Sequence, residues 1–215
     1  MNRSAAFWNK TAARYAASPV GNEAVYQKKL EITREYLRPE MEVLEFGCGT
    51  GSTAIEHAPF VKHIRAIDFS SEMINIAQQK AKDSQIQNVN FETATIYELD
   101  APRESFDAVL GLNVLHLLDD RAAVIRSVHD VLKPGGVFVS STVCLSGAWR
   151  LLAWIVPIGR FLGFMPQVRP MSTQKLIQEM TLAGFSIERE WEPGVFNSIF
   201  IVARKPGSDA SDSGP

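Results

Sequence analysis

The sequence predicts an α/β fold built on a parallel, doubly wound sheet, and three observations carry that expectation. Four strand-then-helix units follow one another, an alternation that builds a parallel sheet with ligands at the strand C-termini. The run Phe106-Asp107-Ala108-Val109-Leu110-Gly111 is almost wholly apolar, as a strand covered on both faces requires. The run Val43-Leu44-Glu45-Phe46 breaks into Gly47-Cys48-Gly49-Thr50-Gly51-Ser52. That is the sequence form of a strand, a tight turn and a helix N-terminus, where bare backbone and unpaired N–H groups can meet a ligand.

The remaining elements follow in order. Residues 1–38 form a helical N-terminal segment that opens with Phe7, Trp8 and Tyr15 and contains a helix over 23–37, stopped by Pro39. Its aromatics either pin the segment to the core or close over a ligand as a lid. A helix over 53–58 follows the glycine turn. Residues 63–67 are a strand ending at Asp68, and Ser70 or Ser71 caps a helix to about residue 84, with Met73, Ile74, Ala77 and Ala81 on one face. Residues 89–93 and 106–111 are strands, and 121–132 is a helix ended by Lys133-Pro134-Gly135-Gly136. Residues 137–142 form the fifth strand, 172–183 a helix closed by Gly184, and 186–191 and 198–204 two last strands. Residues 206–215, rich in Gly, Ser, Asp and Pro, read as a disordered tail.

Composition narrows the function. A chain of 215 residues suits a single α/β domain, here 39–205. A net charge of −2 gives no basic field to recruit nucleic acid. Cys48 and Cys144 cannot build a disulfide framework, and no Cys/His spacing suggests a metal. No transmembrane segment or signal peptide is read, so the cytoplasm is the expected place.

The glycine spacing is informative. A dinucleotide fingerprint is G-x-G-x-x-G; here it is G-x-G-x-G, Ser52 stands where the third glycine would be, and Glu45 precedes the turn. Asp68 lies about twenty residues further on, where a carboxylate can accept hydrogen bonds from two ribose hydroxyls. The alternative is a loop aspartate that caps the next helix. Thr95 lies in the third strand–helix loop. Glu45, Gly47, Asp68, Thr95 and Asn113 all fall on the C-terminal edge of the expected sheet.

These motifs resemble class I S-adenosylmethionine (SAM)-dependent methyltransferases of the small-molecule kind, and the likeness runs from about Phe7 to Lys205. They are most similar to the ubiquinone/menaquinone-biosynthesis branch. The matching pieces are 43–51, Asp68 with Phe69-Ser70-Ser71-Glu72-Met73, Phe106-Asp107 and Leu132-Lys133-Pro134-Gly135-Gly136, with the aromatic opening. The resemblance implies a Rossmann-like, seven-stranded sheet in the order 3-2-1-4-5-7-6, with the last strand antiparallel and helices on both faces. It implies SAM as cofactor and S-adenosylhomocysteine as product, with the turn cradling the amino acid part and Glu45 facing its ammonium. The implied cofactor residues are Tyr15, Glu45, Gly47, Cys48, Gly49, Thr50, Gly51, Asp68, Phe69, Met73, Thr95, Ile96, Leu112 and Asn113. Residues 112–118 are mostly apolar, where quinone methyltransferases usually carry a polar loop.

Methyl transfer needs a general base only if the acceptor is attacked while protonated. His116 is the candidate, against a simple packing role beside the helix start. Residues 145–171 are expected to cap an apolar acceptor site; a dimer surface or peripheral membrane contact through 145–165 are the other uses. Arg150, Arg160 and Arg169 would keep their charged ends in water or meet an anionic head group. The reading is a methyltransferase acting on a small, hydrophobic acceptor, as monomer or homodimer. The alternatives are SAM binding without turnover and a nicotinamide-dependent oxidoreductase.

Overall fold

A computed structural model of the chain describes residues 3–144, 169, 171–194 and 198–207. Most of the expected cap, 145–168 and 170, and the tail from 208 onward lie outside the described residues. Two helices, α1 (Arg3–Ala17) and α2 (Glu23–Tyr36), precede β1 (Glu42–Phe46) and α3 (Ser52–His57). Then come β2 (His63–Asp68), α4 (Ser71–Asp83), β3 (Val89–Thr93), β4 (Phe106–Leu112), α5 (Arg121–Val131) and β5 (Leu132–Val143). The chain closes with α6 (Thr173–Leu182), β6 (Ser186–Trp191) and β7 (Ser198–Arg204).

The seven strands form one sheet in the order β3-β2-β1-β4-β5-β7-β6. The first five strands pair in parallel, and β7 runs antiparallel to both β5 and β6. The expected fold is therefore observed, antiparallel C-terminal strand included. Its cause is side-chain alternation on fully covered strands. Leu44, Phe46, Val109 and Phe138 face the layer containing Val124, Ile125, Val128, Leu176 and Met180 of α5 and α6. Val43, Leu110, Val137 and Val139 face the layer containing Ile32, Ala54, Ile74 and Ala77 of α2, α3 and α4.

Local signals set the helix starts. Asn22 accepts a hydrogen bond from the Val25 N–H, Ser70 from Met73, Asp120 from Ala123 and Ser172 from Lys175, each satisfying an orphan donor of a first turn. Ser70, not Ser71, is the cap of α4.

One boundary departs from expectation. The stretch Lys133-Pro134-Gly135-Gly136 does not lie outside the sheet as a turn; β5 begins at Leu132 and carries the stretch through an irregularity in its pairing with β4. Backbone bonds explain this: the Gly135 N–H donates to Lys205 O, and the Lys205 N–H donates to Gly136 O, both at 2.9 Å. Lys133 Nζ meets both Asp107 carboxylate oxygens at 2.8 Å, and Asp107 Oδ2 also accepts from the Glu42 N–H. Asp107 and Lys133, part of the resemblance, thus brace β1, β4 and β5 at the edge opposite the glycine turn.

His57 ends α3 fully buried, and neither ring nitrogen has a hydrogen-bond partner among the described residues. Burial, reinforced by nearby Arg34, pushes its pKa down to about 3. The folded chain therefore refuses a proton that the unfolded chain accepts below its ordinary value of 6.5. Stability should fall as pH drops from about 6.5 toward 3. Urea unfolding across that window should show a shallower loss in His57→Leu than in the wild type; equal slopes would contradict this account.

Candidate active site

The C-terminal edge of β1, β2 and β4 opens into a cleft of about 810 Å³. Its floor is the glycine turn. Gly47, Gly49 and Gly51 all adopt positive φ, at 65°, 54° and 74°, a conformation that only glycine takes freely. The turn is tied down by the Cys48 N–H on Ile67 O, the Gly49 N–H on Asp68 Oδ2 and the Gly51 N–H on Cys48 O.

The three glycines do different work. A Cβ at Gly47 would lie 2.6 Å from Val114, and one at Gly51 would lie 2.7 Å from Ala77 and Phe91. Those two are required by packing. A Cβ at Gly49 would meet nothing nearer than Tyr15, at 3.9 Å. Gly49 therefore shows bare backbone to open space, as a turn that receives a ligand must.

Two carboxylates flank the turn. Asp68 ends β2 and is 7% exposed. Its Oδ2 accepts from the Gly49 N–H and its Oδ1 from the Ser70 N–H, both at 2.9 Å. Each oxygen keeps a lone pair for a further donor. Burial raises its pKa, and those two N–H bonds oppose the rise. Glu45, on β1, is 3% exposed, and its Oε2 is buried with no hydrogen-bond partner among the described residues. Burial, then the neighbouring Asp68 charge, pushes its pKa up to about 8. On α2, Tyr26 Oη beside Thr53 is likewise buried without a hydrogen bond of ordinary length. Glu45 and Tyr26 are both among the residues that line the cleft.

The cleft wall contains Tyr15, Glu45, Gly47, Cys48, Gly49, Thr50, Asp68, Phe69, Met73, Leu112 and Asn113. Tyr15, on α1, is 52% exposed, and its ring packs edge-on to Trp8 at 6.0 Å. Asn9 fixes the same helix, accepting from Ser70 Oγ at 2.6 Å. Gly51, Thr95, Ile96 and His116 are not among the lining residues. Gly51 is the N-cap of α3, Ile96 is core, and Thr95 donates to Glu98 Oε2. His116 Nδ1 lies 3.1 Å from Thr142 Oγ1, and burial lowers its pKa to about 4. That value makes it a weak base at neutral pH. Arg169 pairs with Asp119 at 2.6 Å rather than standing free.

Sequence reasoning missed Tyr26, Lys29 and Lys80. Lys80 Nζ donates to Thr50 Oγ1 and Ser52 Oγ at 3.0 and 3.2 Å, closing one side of the turn. Among the described residues no His/Cys/Asp/Glu group could hold a metal ion, and no helix is long and apolar enough to cross a membrane.

A family model described as a methyltransferase domain matches residues 43–136, the part of the chain that contains the glycine turn and its two carboxylates. The uncharacterized methyltransferase YcgJ of Bacillus subtilis is 33% identical over 102 residues, 47% of this chain and 40% of that protein. A ubiquinone biosynthesis O-methyltransferase of Albidiferax ferrireducens is 32% identical over 145 residues, 67% of this chain and 57% of that protein. The chain thus spans about half the length of the curated relatives it matches. The crystal structure of YcgJ superposes with a TM-score of 0.71 at 19% identity, covering 85% of this chain and 100% of that one. The [4+2]-cyclase SpnF superposes with a TM-score of 0.69 at 20% identity, covering 84% of this chain and 81% of that one. The shared fold therefore hosts more than one chemistry, and the reaction of this chain must be argued from its own residues.

The roles of the glycines can be separated by stability alone. Gly47→Ala should cost about 2 kcal/mol or more, from strain plus the clash with Val114, and Gly49→Ala about 1 kcal/mol, from strain only. Urea midpoints that put Gly49→Ala at or below Gly47→Ala would contradict this division.

Proposed function

We propose that the protein is a SAM-dependent methyltransferase that methylates a small, hydrophobic acceptor. The observation that carries this reading is the buried, unpaired Glu45 Oε2 beside the open backbone of Gly49. An orphaned buried carboxylate favours a cation. The ammonium of a bound amino acid group fits it, and Tyr26 Oη can donate to the carboxylate of the same group. The turn around Cys48, Gly49 and Thr50 supplies backbone contacts. Asp68 retains lone pairs for ribose hydroxyls, and Phe69 and Met73 give apolar surface for adenine. Gly51 acts by holding the turn. Thr95 and Ile96 support the edge from outside the cleft lining.

The bound cofactor supplies an electrophilic methyl group on a sulfonium. The chain's residues supply alignment and dryness. Leu112, Val114 and Leu117 make the β4 side of the cleft apolar, which suits an acceptor with a hydrophobic body. Tyr15 and Trp8 stand on α1 at the rim, placed to cover the cofactor as a lid. No step is assigned to His116, whose hydrogen bond to Thr142 and depressed pKa suit a packing role. The cap assigned to 145–171 would complete the acceptor side. Both cysteines are free and buried, which suits a reducing cytoplasm. A nicotinamide oxidoreductase is disfavoured because the turn lacks the third glycine of a dinucleotide fingerprint, with Ser52 in its place.

Glu45 links cofactor binding to pH. In the free protein its carboxyl holds its proton up to about pH 8. An incoming cation favours the carboxylate, so binding expels the proton. Affinity for SAM should therefore rise with pH and level off above about 8. Calorimetry at pH 7 in buffers of different ionisation enthalpy should show release of close to one proton. Glu45→Gln should weaken binding by about 1.5–3 kcal/mol and abolish the release. Unchanged affinity and proton release in Glu45→Gln would defeat the assignment.

A further inference from the structure

The polar network at the ends of β4 and β5 has a direction. Lys29, on α2, donates from Nζ to Ser141 Oγ at 2.7 Å. An ammonium has donors only, so the Ser141 hydroxyl accepts there and turns its own proton elsewhere. Asn113 Oδ1, 3.4 Å from Ser141 Oγ, receives it. Asn113 lines the cleft, and with Oδ1 turned to Ser141 its Nδ2 donors remain available to a ligand there. The backbone holds Asn113 in place: its φ is 57°, and its N–H donates to Ser141 O at 2.7 Å.

Lys29 brings a charge to this relay. Its side chain forms no ion pair with a carboxylate among the described residues; its recorded partner is Ser141. Residues 145–168, which follow β5 in the chain, contain Arg150 and Arg160 but no Asp or Glu. Partial burial pushes the Lys29 pKa down. Tyr26, one helical turn earlier on the same stripe of α2, lines the cleft. Lys29, which is not itself a lining residue, is therefore a half-buried cation without a counter-ion among the described residues. Leu112, Val114 and Leu117 provide apolar surface beside Asn113.

We propose that Asn113 and Lys29, coupled through Ser141, form an acceptor subsite for an acidic oxygen of the phenol or enol kind, held there as its anion. The inference rests on the methyltransferase reading above, which makes this edge the acceptor side. On binding, the acceptor's O–H proton leaves to solvent and its bonding pair stays on oxygen, where the cation behind Asn113 stabilises it. The subsite removes the need for a general base, consistent with the position of His116. A purely structural Lys29 would tether α2 to β5 and leave the ionisation of a bound phenol unchanged.

The test uses 4-nitrophenol, whose anion alone absorbs in the visible, titrated with pH against the full chain saturated with S-adenosylhomocysteine. Bound nitrophenol should ionise about one pH unit lower than free nitrophenol, a roughly tenfold preference for the phenolate. Lys29→Met should return the midpoint to that of the free phenol, and Lys29→Arg should keep most of the shift. Ser141→Ala, which releases the Asn113 amide to turn, should reduce it. The same midpoint in wild type and Lys29→Met, or no binding of nitrophenol, would overturn the subsite. S-adenosylhomocysteine affinity is measured separately in each variant. Its absence in the wild type would sink the cofactor reading, whereas its retention alongside an unshifted nitrophenol titration would remove the subsite alone.

Discussion

The turn from Gly47 to Gly51 must pass three left-handed residues while wedged between Val114 on one side and Ala77 with Phe91 on the other. The site depends on that constraint. The turn can be this tight only because β1 lies between β2 and β4, so side chains from both neighbours close on it. Asp68, at the end of β2, then reaches the Gly49 N–H and fixes the middle of the turn. The same arrangement strands Glu45 in the wall. Its carboxyl is buried beside a second carboxylate, and one oxygen is left without a partner. Packing and electrostatics are thus in tension: the core forces an acid into a place where its charge is costly. A cationic ligand would relieve that cost, which is the basis of the proposed selection for charge as well as shape.

The opposite face of the cleft follows a related logic with the sign reversed. There α2 carries Tyr26, Lys29 and Thr33 on one inward stripe. Thr33 is buried and bonds the Lys29 carbonyl. Lys29 reaches across to β5, and Tyr26 leaves a hydroxyl beside Thr53. The cleft is therefore lined by the acids Glu45 and Asp68 of β1 and β2 and by Tyr26 of α2 and Asn113 after β4, an asymmetry that suits the proposed ligand with a cationic end and an electron-rich partner.

Much of this was legible in the sequence. The strand order followed from four strand–helix units plus the family resemblance, because apolar, fully covered strands leave little choice of layer. Glu45 and Asp68 were legible because Glu45 lies two residues before the glycine turn and Asp68 ends the next strand. Other features needed the structure. Nothing in the spacing of G-x-G-x-G separates Gly49, which faces open space, from Gly47 and Gly51, which face side chains of β3, α4 and the loop after β4. The place of His116 after β4 left a base and a packing role both open, and its partner Thr142, on β5, could not be read from the sequence. Lys133-Pro134-Gly135-Gly136 looked like a turn because Lys205, its backbone partner, lies about seventy residues away. Tyr26 and Lys29 did carry a signal, polar residues on the inward stripe of α2, but only the sheet shows which stripe faces in.

The most direct measurement is a crystal structure of the full chain grown with S-adenosylhomocysteine. The account predicts the ligand's ammonium within hydrogen-bonding distance of the Glu45 carboxylate, its ribose hydroxyls on Asp68, and its backbone contacts centred on Gly49. A ligand bound elsewhere, or bound in this cleft with Glu45 Oε2 still unpaired, would contradict it.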